Sequence, residues 1–520
     1  MSNTKLSAEA GYVQDPLALF YDLTDSGNRK NNILLESLEI HTKAGTQSIL
    51  GIDSALRISS LGRRVFIRVL NENGSGALAK LLPLLPKTVT VTPADNGVTV
   101  LEYPETDRNQ DEDSRLKALT VLDSLRNILA IEPETGSHED NLLAGVFGYD
   151  LITAVENLPE VSESSNTCPD FCFYLIDTWI TVNHKTKSSS VNAISYLESE
   201  TAALRQKVSD LAARLNDYEE VQRPAEIPLG DEHIAVSISD DDFCGIVEKM
   251  KGYIFQGDVF QVVPSRTFSI PCPSPVNAYH YLKKTNPSPY MFYMQDEDFI
   301  IFGASPESSV KYTKDTNEVQ MYPIAGTRGR GRKPDGSVDL DLDSKIELEL
   351  RRDIKENAEH LMLVDLARND IARISVPGSR YVPDLLNVDR YSHVMHLVSR
   401  VVGQLRPELD AIHAYQACLN MGTLTGAPKI RATEIIRATE KERRGSYGGA
   451  IGFLTGRGDM DTSIVIRSAF VRNGIAHVQA GCGVVYDSNP RDEAEETRKK
   501  AAAVLNAIAL AHHKTLEEIQ

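Results

Sequence analysis

Apolar and polar positions along the chain follow two rhythms, and each change of rhythm marks an element. ESETAALRQKVSDLAARL (198–215) repeats its apolar residues at helical spacing, as do KIELELRRDIKENAEHLMLVDLARND (345–370), read as one long helix, and RATEIIRATEKERR (431–444). Strand-like runs are FIIFGASPESSVKY (299–312), EVQMYPIAGT (318–327) and SHVMHLVSRVVGQL (392–405). Residues 448–486 form a meander with turns at GRGD and RNG, and Pro490 opens a helix to about His512, a position that suits proline. Strands joined by short turns predict antiparallel sheets with helices packed outside, hence an α+β fold.

Two polar stretches interrupt these patterns. ETDRNQDEDSR (105–115) is an acidic loop; YEEVQRPAEIPLGDEHIAV (218–236) combines charge, two prolines and a glycine, and is the better boundary. It divides an N-terminal region, 1–225, rich in short strands, from a C-terminal region, 226–520, in which glycine, arginine and carboxylate clusters concentrate.

Length and charge narrow the classes. At 520 residues the chain can bury an ample core. Its net charge of −18 argues against nucleic-acid binding, which needs a basic surface. No apolar run is long enough to span a bilayer, and MSNTKLSAEAGYVQDP lacks the basic-then-apolar pattern of a secretory signal, so no membrane and a cytoplasmic setting are expected. In that setting the six scattered cysteines read as reduced thiols.

Several residues carry candidate chemistry. Glu356 with Glu359, and Glu493 with Glu496, sit three apart, so each helix can present two carboxylates on one face. They read either as solvated acidic faces or as oxygen ligands from two helices, which would suit Mg²⁺. Arg467 lies in the strand pattern DTSIVIRSAFV, where a charge needs a partner: an internal carboxylate or a substrate's. In AGCGVV, Gly481 and Gly483 can bare backbone N–H groups to an anion, or form a simple bulge. His396 alternates with Val394 and Val398 and reads as a core histidine or a functional one, while Glu307 follows Pro306 where a carboxyl could enter a cleft. The RGRGR segment (328–332) reads as a cationic loop. GTRGRG does not follow the dinucleotide fingerprint, and GTLTGAPK places its lysine wrongly for a phosphate loop.

Taken in order, PIAGTRGRGR, ENAEHLMLVDLARND, VMHLVSRVVG, GTLTGAPK, RRGSYGGAIG, DTSIVIRSA, QAGCGVVYDS and EAEETRKKA resemble the chorismate-utilising enzymes, from about Asp241 to Ala511. LFYDL, LLES and CPDFCFYL extend the resemblance to the large subunits of anthranilate synthases. The resemblance implies two stacked, mainly antiparallel sheets flanked by helices, chorismate as substrate and Mg²⁺ as cofactor. It makes Glu359 and Glu496 the metal ligands, with Glu356 and Glu493 close behind or acting through water. Arg467, Tyr447, Gly481, Cys482 and Gly483 would contact the substrate, Gly326 and Thr327 would line its pocket, and Glu307 would be the general acid. His396 would act in pyruvate loss, as base or as orienting group.

Two positions speak to the nucleophile. Aminodeoxychorismate synthases carry a lysine nucleophile where this chain has Ala325, and water-adding relatives carry a lysine base where it has Gln261. Ammonia remains. Its supply implies a glutamine amidotransferase subunit, two chains of each kind forming a heterotetramer. Ser37, with Pro289, Tyr290 and Met291, matches a feedback site for tryptophan. The alternatives are an aminodeoxychorismate synthase component I and a catalytically silent tryptophan sensor.

Overall fold

The structure is a computed structural model that describes residues 5–37, 47–94, 97–107, 110–218, 224, 226–230, 232–391 and 394–519. Residues 1–4 of the N-terminal segment, 108–109 of the acidic loop, 219–223, 225 and 231 of the boundary stretch, and 392–393 ahead of the VMHLV strand lie outside them.

Two antiparallel sheets share a pair of long strands, Gln47–Leu61 and Phe171–Asn183. At one end, Gln47–Leu61 pairs with Asn32–Glu36, and the sheet continues through Tyr290–Gln295, Ile300–Ser305, Ser468–Arg472, Ile475–Gly481 and Ser265–Pro271. At the other end, Phe171–Asn183 pairs with Leu142–Phe147, and a second sheet continues through Ala450–Thr455, Met460–Ile464, Ser308–Thr313 and Glu318–Met321 to Val394–Gln404. A hydrophobic core lies against each sheet, one around Leu143, Phe173 and Ile451, the other around Leu34, Phe302 and Val504. The α+β reading holds, and strands from both halves of the chain interleave in both sheets. None of the described helices is long and apolar enough to cross a membrane, and all six cysteines are unpaired.

Four predicted elements are broken; EVQMYPIAGT divides at Tyr322–Pro323 into Glu318–Met321 and Ile324–Gly329. The helix read over 345–370 is two, Leu340–Arg352 and Ile354–Ile374. Asp353 between them is extended (ψ 113) and its carboxylate accepts from Glu356 N at 3.1 Å, the N-cap arrangement that starts a new helix and contributes about 1 kcal/mol. FIIFGASPESSVKY divides at Pro306–Glu307, and DTSIVIRSAFV divides between Ile464 and Ser468. At these two places the chain passes from one sheet to the other. The crossings are tied together: Ile464 N donates to Glu307 O and Ala304 N to Arg467 O, both at 3.0 Å. Arg467 therefore stands on a corner with left-handed φ of 49°, where the sequence pattern places it inside a strand.

Candidate active site

The paired corners bring Glu307 and Arg467 toward Lys500 of helix Pro490–Leu510. Glu307 is buried, 5% exposed, and Thr423 Oγ1 donates to its Oε1 at 3.1 Å. Burial pushes its carboxyl up to about 8, against the opposing pull of the Thr423 hydroxyl and Lys500, so it stays protonated near neutrality. Such a group can hand a proton to a leaving oxygen. The Arg467 guanidinium has one side-chain hydrogen bond among the described residues, from Nη1 to Lys500 O at 3.4 Å. Burial lowers its pKa while Tyr447 and Glu496 raise it, so its fork is held in a partly desolvated place with no bonded carboxylate.

Carboxylates arrive from helices Ile354–Ile374 and Pro490–Leu510, the latter started by Asn489 capping Arg491 N and Asp492 N. Glu359 is pushed up to about 7, first by burial, then by the charges of Glu356 and Glu496, with Lys500 and Lys355 opposing. Lys500 lies one turn beyond Glu496 and its Nζ donates to Glu496 Oε1 at 2.6 Å and to Gly481 O at 3.1 Å. Glu493 is buried, its carboxyl is raised chiefly by burial, and its Oε2 has no hydrogen-bond partner among the described residues.

Among the described residues no group of three or more acidic, histidine or cysteine side chains closes on a metal-sized point. Glu359 and Glu496 still fit Mg²⁺, which is often held by one or two carboxylates and keeps waters or substrate oxygens elsewhere. The repulsion that raises Glu359 is what a divalent cation there would relieve.

Opposite the helices, the end of strand Ile475–Gly481 runs through Cys482 to Gly483. A Cβ at Gly483 would lie 2.5 Å from Gln261 Nε2 and 3.3 Å from Glu359 Oε1; one at Gly481 would lie 2.6 Å from Pro264 O and 3.1 Å from the Tyr447 hydroxyl. Glycine is needed at both so that the backbone can come this close. Gln261 thus shares a wall with Glu359; it is 2% exposed and its Oε1 has no hydrogen-bond partner among the described residues.

The remaining wall is strand Ile324–Gly329 beside Val394–Gln404, with a register shift between Ala325 and Thr327. Gly326 takes up that shift at φ 71°, and a Cβ there would meet Glu356 Oε2 at 3.1 Å. Thr327 Oγ1 and His396 Nδ1 share a hydrogen bond of 2.8 Å. Burial and nearby Arg467 push the imidazole down to about 4, so it is neutral at pH 7 and able to accept a proton.

Glu307, Gln261, Gly326, Thr327, Glu359, His396, Tyr447, Arg467, Gly481, Gly483 and Glu496 are therefore linked, directly or through Glu356 and Lys500, into one cluster. Between the two glycines, the Cys482 side chain packs with Phe243, Val247 and Val262 and beside the Glu493 carboxyl, and burial pushes its thiol well up. Ser37, Pro289, Tyr290 and Met291 gather elsewhere. The register Glu36↔Met291 sets Ser37, just past the end of its strand, beside Tyr290, and the buried Ser37 Oγ has no hydrogen-bond partner among the described residues.

The RGRGR segment is less loose than a cationic loop. Its start is strand, Arg328 donates to Glu356 at 2.7 Å and Asp353 at 3.0 Å, and Arg330 forks onto Asp343 at 2.8 and 2.9 Å. Two side chains not singled out from sequence also belong to the site, Lys500 and Thr423. Lys500 could have been found from its four-residue spacing to Glu496; Thr423, in a motif set aside as a failed phosphate loop, had no such signal.

Residues 90–506 match the family model described as chorismate binding enzyme. Anthranilate synthase component 1 of Escherichia coli (strain K12) is 53% identical over 520 residues, covering 98% of this chain and 97% of its own. The crystal structure of anthranilate synthase component I from Streptococcus pneumoniae TIGR4 is 31% identical with a TM-score of 0.70, covering 90% of this chain and 94% of that one. The menaquinone-specific isochorismate synthase of Escherichia coli, 15% identical with a TM-score of 0.61 over 94% of this chain and 100% of its own, shares the fold. The chain belongs to the chorismate binding enzyme family and, within it, groups with the anthranilate synthase component 1 proteins.

Proposed function

We propose that this chain aminates chorismate with ammonia and expels pyruvate, giving anthranilate for tryptophan biosynthesis. The observation that carries the reading is Gln261. A buried amide, with a free acceptor oxygen, stands beside Glu359 and Gly483 at the position where water-adding relatives keep a lysine base. An amide cannot deprotonate water at neutral pH, but its oxygen can accept a hydrogen bond from ammonia, which needs no activation. Ala325 offers no amine, and the amine of Lys500 is engaged by Glu496 and Gly481 O.

The steps follow from the groups present. Arg467, the Tyr447 hydroxyl and the backbone amides around Gly481 and Gly483 hold the substrate's carboxylates. Mg²⁺, held by Glu359 and Glu496 with Glu356 and Glu493 behind them, would supply charge neutralisation at the ring carboxylate. Ammonia forms a bond to ring carbon C2, the double bonds shift, and the C4–O bond breaks as Glu307 gives its proton to the departing hydroxyl, which leaves as water. Loss of the C2 proton and of the enolpyruvyl group as pyruvate then makes the ring aromatic. His396, neutral and anchored by Thr327, acts in this second stage as the base or by orienting the enolpyruvyl group. Every one of these residues lies in region 226–520, which we take as the catalytic region. The nitrogen donor is a glutamine amidotransferase subunit, with two chains of each kind assembling as a heterotetramer.

Purified chain given chorismate, ammonium and Mg²⁺ should form fluorescent anthranilate with equimolar pyruvate, and a chelator should abolish turnover. A persistent aminodeoxychorismate, or product without nitrogen, would overturn the reading.

Region 1–225 adds regulation in this proposal. Ser37 and Pro289–Met291 form a tryptophan site, supported by the unpartnered Ser37 hydroxyl. The strand Tyr290–Gln295 starts opposite Ser305, whose Oγ lies 3.3 Å from Glu307 N, so a ligand that shifts one strand end acts on the acid two residues away. Ser37→Phe should keep ammonium-driven activity within about twofold while blunting tryptophan inhibition; inhibition curves that superimpose would remove the site from this location.

A further inference from the structure

Glu356, Glu359, Glu493 and Glu496 come from two helices, yet no three of them close on a metal-sized point among the described residues. For Glu356 the cause is visible. It stands one turn before Glu359 on the same helix face, near enough for its charge to raise the Glu359 carboxyl. Its oxygens are placed elsewhere. Oε1 accepts from Arg328 Nη1 at 2.7 Å, and Oε2 lies against strand Ile324–Gly329, where a Cβ at Gly326 would come within 3.1 Å of it. Arg328 is fixed in turn by its neighbours. Nη1 also donates to Thr327 O at 2.9 Å, and Nη2 donates to Asp353 Oδ2 at 3.0 Å. The other Asp353 oxygen caps helix Ile354–Ile374 by accepting from Glu356 N at 3.1 Å. One guanidinium thus ties the strand that carries Gly326 and Thr327 to the first turn of the helix that carries Glu356 and Glu359. A planar fork suits this task, because it bonds two carboxylates at once in fixed directions. The other arginines of the RGRGR segment turn away, Arg330 to Asp343 and Tyr391 O, Arg332 to Gly336 O.

Stability does not account for this contact. The Arg328 and Glu356 side chains are 35% and 23% exposed, and ion pairs this open to water hold a fold together only weakly. Its consequence lies in the charge left for a ligand. Lys500 offsets Glu496 and Arg328 offsets Glu356, so two of the carboxylates are partnered within the protein. On the functional reading above, on which this inference rests, Mg²⁺ sits at Glu359 and Glu496. Held by one or two carboxylates, that ion keeps its other positions for water and substrate oxygens. A third carboxylate would tighten metal binding through its added charge and would fill a position that the substrate's own carboxylate needs. Glu356 is one side-chain rotation from that role, and the Arg328 fork opposes the rotation.

We propose that Arg328 is a positioning residue that holds Glu356 off the Mg²⁺ site, so that Glu359 and Glu496 take the metal and a position stays open for the substrate's ring carboxylate. The test is calorimetric titration of Mg²⁺ alone into the metal-stripped full chain, followed by kinetics with chorismate and ammonium. Arg328→Gln should bind Mg²⁺ about three- to tenfold more tightly without chorismate, while KM for chorismate at saturating Mg²⁺ rises by about threefold or more. Its thermal midpoint without metal should stay within about 4 °C of wild type, which shows that it is folded. Adding Glu356→Gln to Arg328→Gln should cancel the gain in Mg²⁺ affinity. The same Glu356→Gln change alone should cost much less affinity, because in the wild type that carboxylate is already engaged. Arg328→Lys, which keeps the charge without the fork, should fall between wild type and Arg328→Gln. Unchanged or weaker Mg²⁺ binding by Arg328→Gln would overturn this inference and leave the functional reading standing, as would equal effects of Glu356→Gln in the two backgrounds. Wild-type chain that takes up no Mg²⁺ would overturn the metal reading and this inference together.

Discussion

Glu307→Gln should lower kcat by about 10²–10⁴ with chorismate and ammonium while leaving KM for chorismate nearly unchanged. Glutamine keeps the shape and can still accept from Thr423, so the corner should hold, but it has no proton to give. Burial raises this carboxyl to about 8, so the acid is present below that pH and is lost as pH rises through it. At constant free ammonia the wild-type kcat should therefore fall on the alkaline side near pH 8, and this limb should vanish in the variant. A Glu307→Gln enzyme with wild-type kcat would take the acid role away from this residue; a wild-type profile flat to pH 10 would show that burial does not hold the proton as argued.

What could be read from sequence depended on how local its cause is. The meander at 448–486 was legible because its turns are written in glycine and asparagine, and the last helix because Pro490 marks its start. The glutamate pairs were legible because a three-residue spacing fixes a shared face whatever surrounds it. The two corners were not. Ile464, Val465 and Ile466 continue an apolar run through the bend, and nothing in their types says that the strand changes sheet there. The break at Asp353 was hidden in the same way, since residues on both sides favour helix and only the capping carboxylate tells them apart. The meeting of Ser37 with Tyr290 spans more than 250 residues of sequence, and only strand register settles it.

Arg467→Ala should reduce kcat/KM for chorismate by about 30- to 5,000-fold, corresponding to the 2–5 kcal/mol typical of truncating one side of a buried charge pair. The same change should leave thermal stability unchanged or raised. Both halves follow from one feature: among the described residues this guanidinium has no bonded carboxylate to offset its burial. Folding bears that cost, and a dianionic substrate recovers it. Arg444 is the internal control. It is equally cationic and more deeply buried, yet it is satisfied within the protein by Glu440 at 2.6 Å and by the carbonyls of Leu424 and Val263 at 2.7 Å each. Arg444→Ala should cost about 3–5 kcal/mol of stability, because it strands a buried carboxylate and two acceptors. If Arg467→Ala instead destabilised as Arg444→Ala does, Arg467 would be a structural ion and the carboxylate-binding role would fall to other groups. Lysine at 467 discriminates further: charge is kept but the fork is lost, so partial recovery of kcat/KM would indicate that two parallel hydrogen bonds, and not charge alone, hold the substrate.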